Sequence, residues 1–293
     1  MVAALGLAVL QLNDTYLLPI PKEDPVRVGM GITDLYTLLP VTPDDIARSA
    51  DGIRYVLIGE SHTSPAHHQF QADVIAALVK RGRRVTVGFE MFTRPNQPNL
   101  APYSLGQWTE SQFIERANWA KEWGFPFAIY KPIFDVVREN RLPMVALNVP
   151  RDWVRAVGRG GAKGLALENI REVPDLYLGN ENHRMIFDSL MGGHPPTGPM
   201  GQNIYTAQVL WDEGMADTAI KATRDWTNPE RVFVVIAGSG HVMYGQGIGY
   251  RITRRTGLPT LTLTAIDSAK PRNVSRGIAD FIFVSPPPPG EER

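Results

Sequence analysis

The pattern Gly-x-x-His occurs twice, as GESH at Gly59 to His62 and as GSGH at Gly238 to His241, each directly after an apolar run of strand length. A third run of the same kind, VTVGFE, ends in Glu90. Neutral imidazole binds iron, zinc, copper or nickel, and a carboxylate completes a mixed nitrogen and oxygen site that leaves positions open for water or substrate. His62, His241 and Glu90 are therefore the candidate metal ligands. If such a site hydrolyses a substrate, Glu60 in the first motif and Glu90 are the candidate general bases.

Further polar residues fall where they could join this group. His67 and His68 lie in the opening turn of a helix after the first motif, with Gln71 one turn on. The positive end of a helix disfavours imidazolium and keeps such rings available to a ligand. Arg151 leaves another strand end, and Gln208 and Asp212, four residues apart, could line the roof of a pocket. His183 and His194 fall in a stretch without strand signal and read as surface residues. Ser61 lacks a Gly-x-Ser-x-Gly elbow, and no Gly-x-Gly-x-x-Gly or phosphate loop follows a strand.

The elements that must position these residues are legible as alternating runs. Tyr55 to Glu60 (YVLIGE) is uniformly apolar before its last residue, which predicts a strand buried on both faces. Ser64 and Pro65 then open a helix that Gly82 stops. Val85 to Glu90, a helix over Pro132 to Asn140, and Met144 to Val149 repeat the unit; Val232 to Ala237, a short helix from Gly249, Thr260 to Thr264 and Phe281 to Val284 follow. Strand then helix, repeated, predicts an α/β fold with a mostly parallel central sheet, flanking helices and a smaller helical insertion. In such sheets ligands bind beyond the carboxyl ends of the strands, where the polar residues above fall.

The expected organisation is an irregular, proline-rich lead-in over residues 1–50, an α/β domain over 51–285 with a helical insertion at roughly 151–230, and a proline-rich tail at 286–293. Gly158 to Gly164 and Met191 to Gly201 read as glycine-rich connections, and Trp108, Trp119 and Trp123 as packing residues of a further helix. A hydrophobic content of 43% and a charged content of 20% place the chain among globular proteins rather than disordered ones. Thirty basic residues balance thirty acidic ones, so no broad electrostatic footprint for nucleic acid or an anionic membrane exists. The basic run Lys80 to Arg84 reads as a solvated helix end. With no cysteine, disulfides, thiolate sites and a lipidated lipoprotein cysteine are excluded. The opening MVAALGLAVL is too short to span a bilayer and reads as a strand or short helix, with the remnant of a trimmed leader as the alternative.

In combination, LIGESHTSPAHHQFQ, GFEMF, the segment from Tyr130 to Asp152, QVLWDEGMA and IAGSGHVMYGQGI resemble the ChaN family of haem-binding, iron-uptake proteins, part of the Tiki superfamily. The likeness covers roughly residues 50–265. It implies haem or iron handling at the bacterial periplasm or envelope, with haem or a divalent transition metal as cofactor and a homodimer as a compatible assembly. Haem ligation takes histidine or tyrosine, and Tyr103 and Tyr244 are candidates by nearness to strand-end loops. Tiki-type members imply a rival reading, a metal-dependent hydrolase of peptides or esters, on His62, Glu60, Glu90 and His241. A pure interaction module would leave the strand-end polar residues without an explanation.

Overall fold

The computed structural model describes residues 14–20, 24–193 and 196–290; the opening apolar segment, His194 and the last three residues lie outside them. Nine strands are described: β1 Pro25–Val28, β2 Gly31–Asp34, β3 Tyr55–Glu60, β4 Arg84–Thr93, β5 Met144–Asn148, β6 Arg231–Gly238, β7 Thr260–Asp267, β8 Arg272–Ser275 and β9 Phe281–Ser285. Seven form one sheet in the order β2-β9-β7-β3-β6-β4-β5, parallel except for β2, while β1 and β8 pair as a separate antiparallel ribbon. The mostly parallel α/β fold expected from the alternating runs is present.

The principal helices are α1 Pro43–Ser49, α2 Pro65–Lys80, α3 Glu110–Arg116, α4 Phe127–Glu139, α5 Arg151–Gly160, α6 Glu181–Leu190, α7 Gly198–Thr223 and α8 Ile248–Thr256. Because side chains alternate across a strand, each central strand builds two cores. Val56, Ile58, Val85, Val87 and Phe89 pack toward α2 and α4, while Tyr55, Leu57, Phe233 and Val235 pack with Met215, Ala216 and Ala219 of α7. The long helix α7 is thus a layer of the sheet sandwich. Between β5 and β6 the described residues contain no strand.

Two local readings change. The lead-in is not wholly irregular: β2 joins the sheet edge through Gly31 to Asp34, pairing antiparallel with β9. The glycine-rich stretch after α5 forms a short 3-10 helix at Gly161–Gly164. The basic run ends α2 as expected, and its charges are engaged: Lys80 with Asp44, Arg81 with Asp51, and Arg83 with the carbonyls of Ala50 and Ile53. Trp119 packs in the aromatic core against Phe92, Phe127 and Phe134. No described helix is long and apolar enough to cross a membrane.

Candidate functional site

Strands β3, β6 and β4 are neighbours, so their carboxyl ends present Glu60, the Ser239–His241 turn and Glu90 side by side. Alternation sends the two glutamates to opposite faces. Glu60, in phase with Val56 and Ile58, turns toward α2, and Glu90, out of phase with Phe89, turns toward α7. The two glycines that open the Gly-x-x-His patterns make the approach sterically feasible. A Cβ on Gly59 would lie 2.9 Å from Ser239 Cα, and one on Gly238 would lie 2.8 Å from His62 Cε1. Each motif's glycine leaves room for a residue of the other motif.

On the α2 side, His62 Nδ1 donates to Glu60 Oε1 at 2.6 Å, since a carboxylate can only accept. The ring edge rests on Trp123 and Phe125. Its Nε2 has no hydrogen-bond partner among the described residues, and the side chain keeps 33% exposure. Burial lowers the His62 pKa, but Glu60 more than offsets it and leaves the pKa raised. Glu60 itself is buried; desolvation pushes its pKa up, while His62 and His68 outweigh that and hold it below the usual carboxylate value.

On the α7 side, His241 is clamped. Its Nδ1 lies 2.7 Å from Asp212 Oδ1 and its Nε2 lies 3.3 Å from Glu90 Oε1. The Gln208 amide also lies 3.2 Å from Nδ1, and an imidazolium, with a proton on each nitrogen, meets both carboxylates. Burial opposes this, yet Glu90 and Asp212 together raise the His241 pKa well above its ordinary value. Glu90 is completed by the Gly238 amide, which donates to Oε2 at 2.7 Å. Asp212 Oδ2 meets His183 Nε2 at 2.8 Å, and the Tyr205 hydroxyl lies 3.1 Å from His183 Nδ1. Burial lowers the His183 pKa, although Asp212 opposes the shift, and the Tyr205 hydroxyl also donates to the Asn180 carbonyl. Desolvation raises the Asp212 pKa, but His241, Arg251 and His183 outweigh it and hold it low.

Between the two arrangements lies an open cleft of about 410 Å³. Glu60, Ser61, His62, Gln208, His241 and Asp267 are among its polar lining residues, and Tyr16, Leu190, Met243 and Ile266 among its apolar ones. Its size falls within the range of small-molecule sites. Of the paired histidines on α2, His67 borders this cleft, accepting from the Ser61 amide at Nδ1 and facing Asp267 through Nε2, whereas His68 lies behind Glu60.

Several expected site residues are elsewhere. Tyr103 is stacked on Phe113 inside the aromatic core, and Tyr244 directs its hydroxyl to the Leu18 amide and the Thr15 carbonyl, so neither phenol reaches the cleft. Nearness in sequence to a strand-end loop did not place them there. Arg151 begins α5 as an exposed residue, and Gln71 is buried with its Nε2 on the Ile58 carbonyl. His183 is the opposite case: read as a surface residue, it is buried against Asp212 because α6 packs onto α7. Tyr16 was not singled out, and nothing in its local sequence marks it. His62, Glu90 and His241 are neighbours, but both nitrogens of His241 and both oxygens of Glu90 are already engaged. Among the described residues no group of three or more His, Asp or Glu is disposed to hold a metal ion.

The carboxyl edge of this mostly parallel sheet thus gathers carboxylate-backed histidines beside an open cleft. The chain belongs to the family described as haem-binding uptake, Tiki superfamily, ChaN, which it matches over residues 46–252. Its fold is similar to that of ChaN of Campylobacter jejuni, a structure described as showing cofacial haem binding, with a TM-score of 0.67 at 18% identity over 87% of this chain and 96% of that one. At that identity the likeness is one of fold. The chain is also 23% identical over 254 residues to Protein RETICULATA-RELATED 5, chloroplastic, of Arabidopsis thaliana, covering 79% of this chain and 34% of that protein. It therefore spans about a third of the length of that curated relative.

Proposed function

We propose that the chain binds haem in the cleft at the carboxyl edge of its sheet, in iron or haem acquisition, with His62 as the axial donor. The observation that carries this reading is that His62 lines the cleft with an Nε2 that has no hydrogen-bond partner among the described residues, while Nδ1 is fixed on a buried carboxylate. A carboxylate on the far nitrogen of a ligating imidazole sets its tautomer, aims its lone pair and raises its basicity. Of the cleft's apolar lining, the exposed Leu190 would offer contact to a porphyrin face, and the His62 imidazole would supply an iron ligand. His241 does not fit as a second axial ligand, because ligation needs a neutral ring with a free nitrogen.

Haemin titrated into purified protein should give a shifted Soret band that His62→Ala abolishes and Tyr244→Phe retains. No spectral change at micromolar haemin would refute the reading.

The clamp on His241 favours a second reading, a hydrolase of peptides or esters. There His62 Nε2 takes a proton from the attacking water, passing none to Glu60, and His241, between Asp212 and Glu90, positions the carboxylates beside it. Turnover on an ester panel, lost in both His62→Ala and His241→Gln, is the expected result; a panel without turnover would refute this second reading.

A further inference from the structure

The two cleft imidazoles are supported in the same way. Glu60 stands between His62 and a second histidine, His68; Asp212 stands between His241 and a second histidine, His183. Both inner rings are almost wholly buried, at 0% and 1% exposure, where an imidazole without polar partners is costly. For Asp212 the second contact is a formed hydrogen bond of 2.8 Å. For Glu60 it is nearly formed: His68 Nε2 faces Glu60 Oε2 at 3.5 Å, and neither atom has a hydrogen bond elsewhere. The His68 ring lies against Tyr130, with centroids 3.8 Å apart and the planes tilted by 32°, and the Tyr130 hydroxyl donates to the carbonyl of His62.

Leaving a buried carboxylate oxygen and a facing ring nitrogen unpaired costs about 1–3 kcal/mol for each neutral group and more for the charged one. A contraction of a few tenths of an ångström removes that penalty. We infer that His68 is a positioning residue: it donates from Nε2 to Glu60 Oε2, so that the carboxylate is fixed at both oxygens and holds His62 with Nδ1 protonated and Nε2 bare toward the cleft. This builds on the reading of His62 as the open donor, and it deepens that reading by assigning the residue that sets the ring's tautomer and aim. Without His68, Glu60 keeps one anchored oxygen and can rotate about its terminal torsion, which is broad. His62 then exchanges between its two neutral tautomers.

The test is long-range proton-nitrogen NMR of the histidine rings in ligand-free, nitrogen-15-labelled protein, at about pH 9 so that an ordinary imidazole is neutral. In the wild type, His62 should show its proton on Nδ1 and His68 its proton on Nε2, each with two well-separated ring nitrogen signals. His68→Phe should collapse that separation for His62, and His68→Gln, whose amide can donate to Glu60, should restore it. A folded His68→Phe protein with unchanged His62 signals would overturn the inference. If that variant does not fold, the wild-type spectrum decides alone: a His68 proton on Nδ1 rather than Nε2 overturns the inference. Because no ligand is present, the outcome is separate from whether haem binds.

Discussion

Replacing Gly238 by alanine separates the site from the fold. The backbone at this residue, φ −57° and ψ 144°, is open to any L residue, so the glycine is not required by its conformation. Restricting the unfolded chain favours the folded alanine variant by about 0.4–1 kcal/mol. The new methyl would sit 2.8 Å from His62 Cε1 and 3.4 Å from Nε2, and the ring must move. Moving it breaks the bond to Glu60, a charge-assisted contact worth about 1.5–3 kcal/mol. The balance is a loss of about 1–2 kcal/mol, small enough for the protein to remain folded. Ligand binding should suffer far more, because the single open imidazole nitrogen is displaced; loss of such support typically costs about 10- to 100-fold in affinity. Urea unfolding measures the first quantity and haemin titration the second. A Gly238→Ala protein that binds haemin with wild-type affinity and an unshifted Soret maximum would refute the claim that this glycine exists to seat His62.

Other expectations follow from the same geometry. Since the His241 pKa is raised in the folded state, its contribution is complete below about pH 6.5 and is lost as pH rises through the folded value, at up to about 1.4 kcal/mol per pH unit. Urea unfolding between neutral and alkaline pH should show this decline, and Asp212→Asn should flatten it; equal slopes in both proteins would contradict the clamp. Tyr103→Phe removes a buried hydroxyl without a hydrogen-bond partner and should leave stability within about 1 kcal/mol and the haemin spectrum unchanged. Leu190→Asp, on the apolar cleft wall, should weaken haemin binding without changing the spectrum of the saturated complex, as measured by titration at fixed salt.

The central strands were legible because burial on both faces leaves an unbroken apolar run, as in YVLIGE and VFVVIA. The lead-in strands were not, because β1 and β2 are four residues each, partly exposed and flanked by turn formers, and they exist through pairing with β8 and β9. The same division holds at the site. Glu60, His62, Glu90 and His241 stood out because a polar residue ending a buried run marks a sheet edge. Asp212 was visible as a helix position, but its grip on His241 depends on how α7 crosses the sheet. His183 had no signal at all: only the docking of α6 against α7 buries it. Tyr103 and Tyr244 show the converse, residues near the right loops whose side chains satisfy packing or backbone groups instead.

The central claim is that one imidazole, His62, presents a free nitrogen to the cleft while His241 is held between two carboxylates. Its most direct test is the absorption spectrum of haemin bound to His62→Ala, before and after addition of free imidazole, beside that of His241→Gln. The account predicts a lost axial-ligand signature in His62→Ala that exogenous imidazole restores, and a retained one in His241→Gln. A wild-type spectrum in His62→Ala, or its loss in His241→Gln alone, would contradict it.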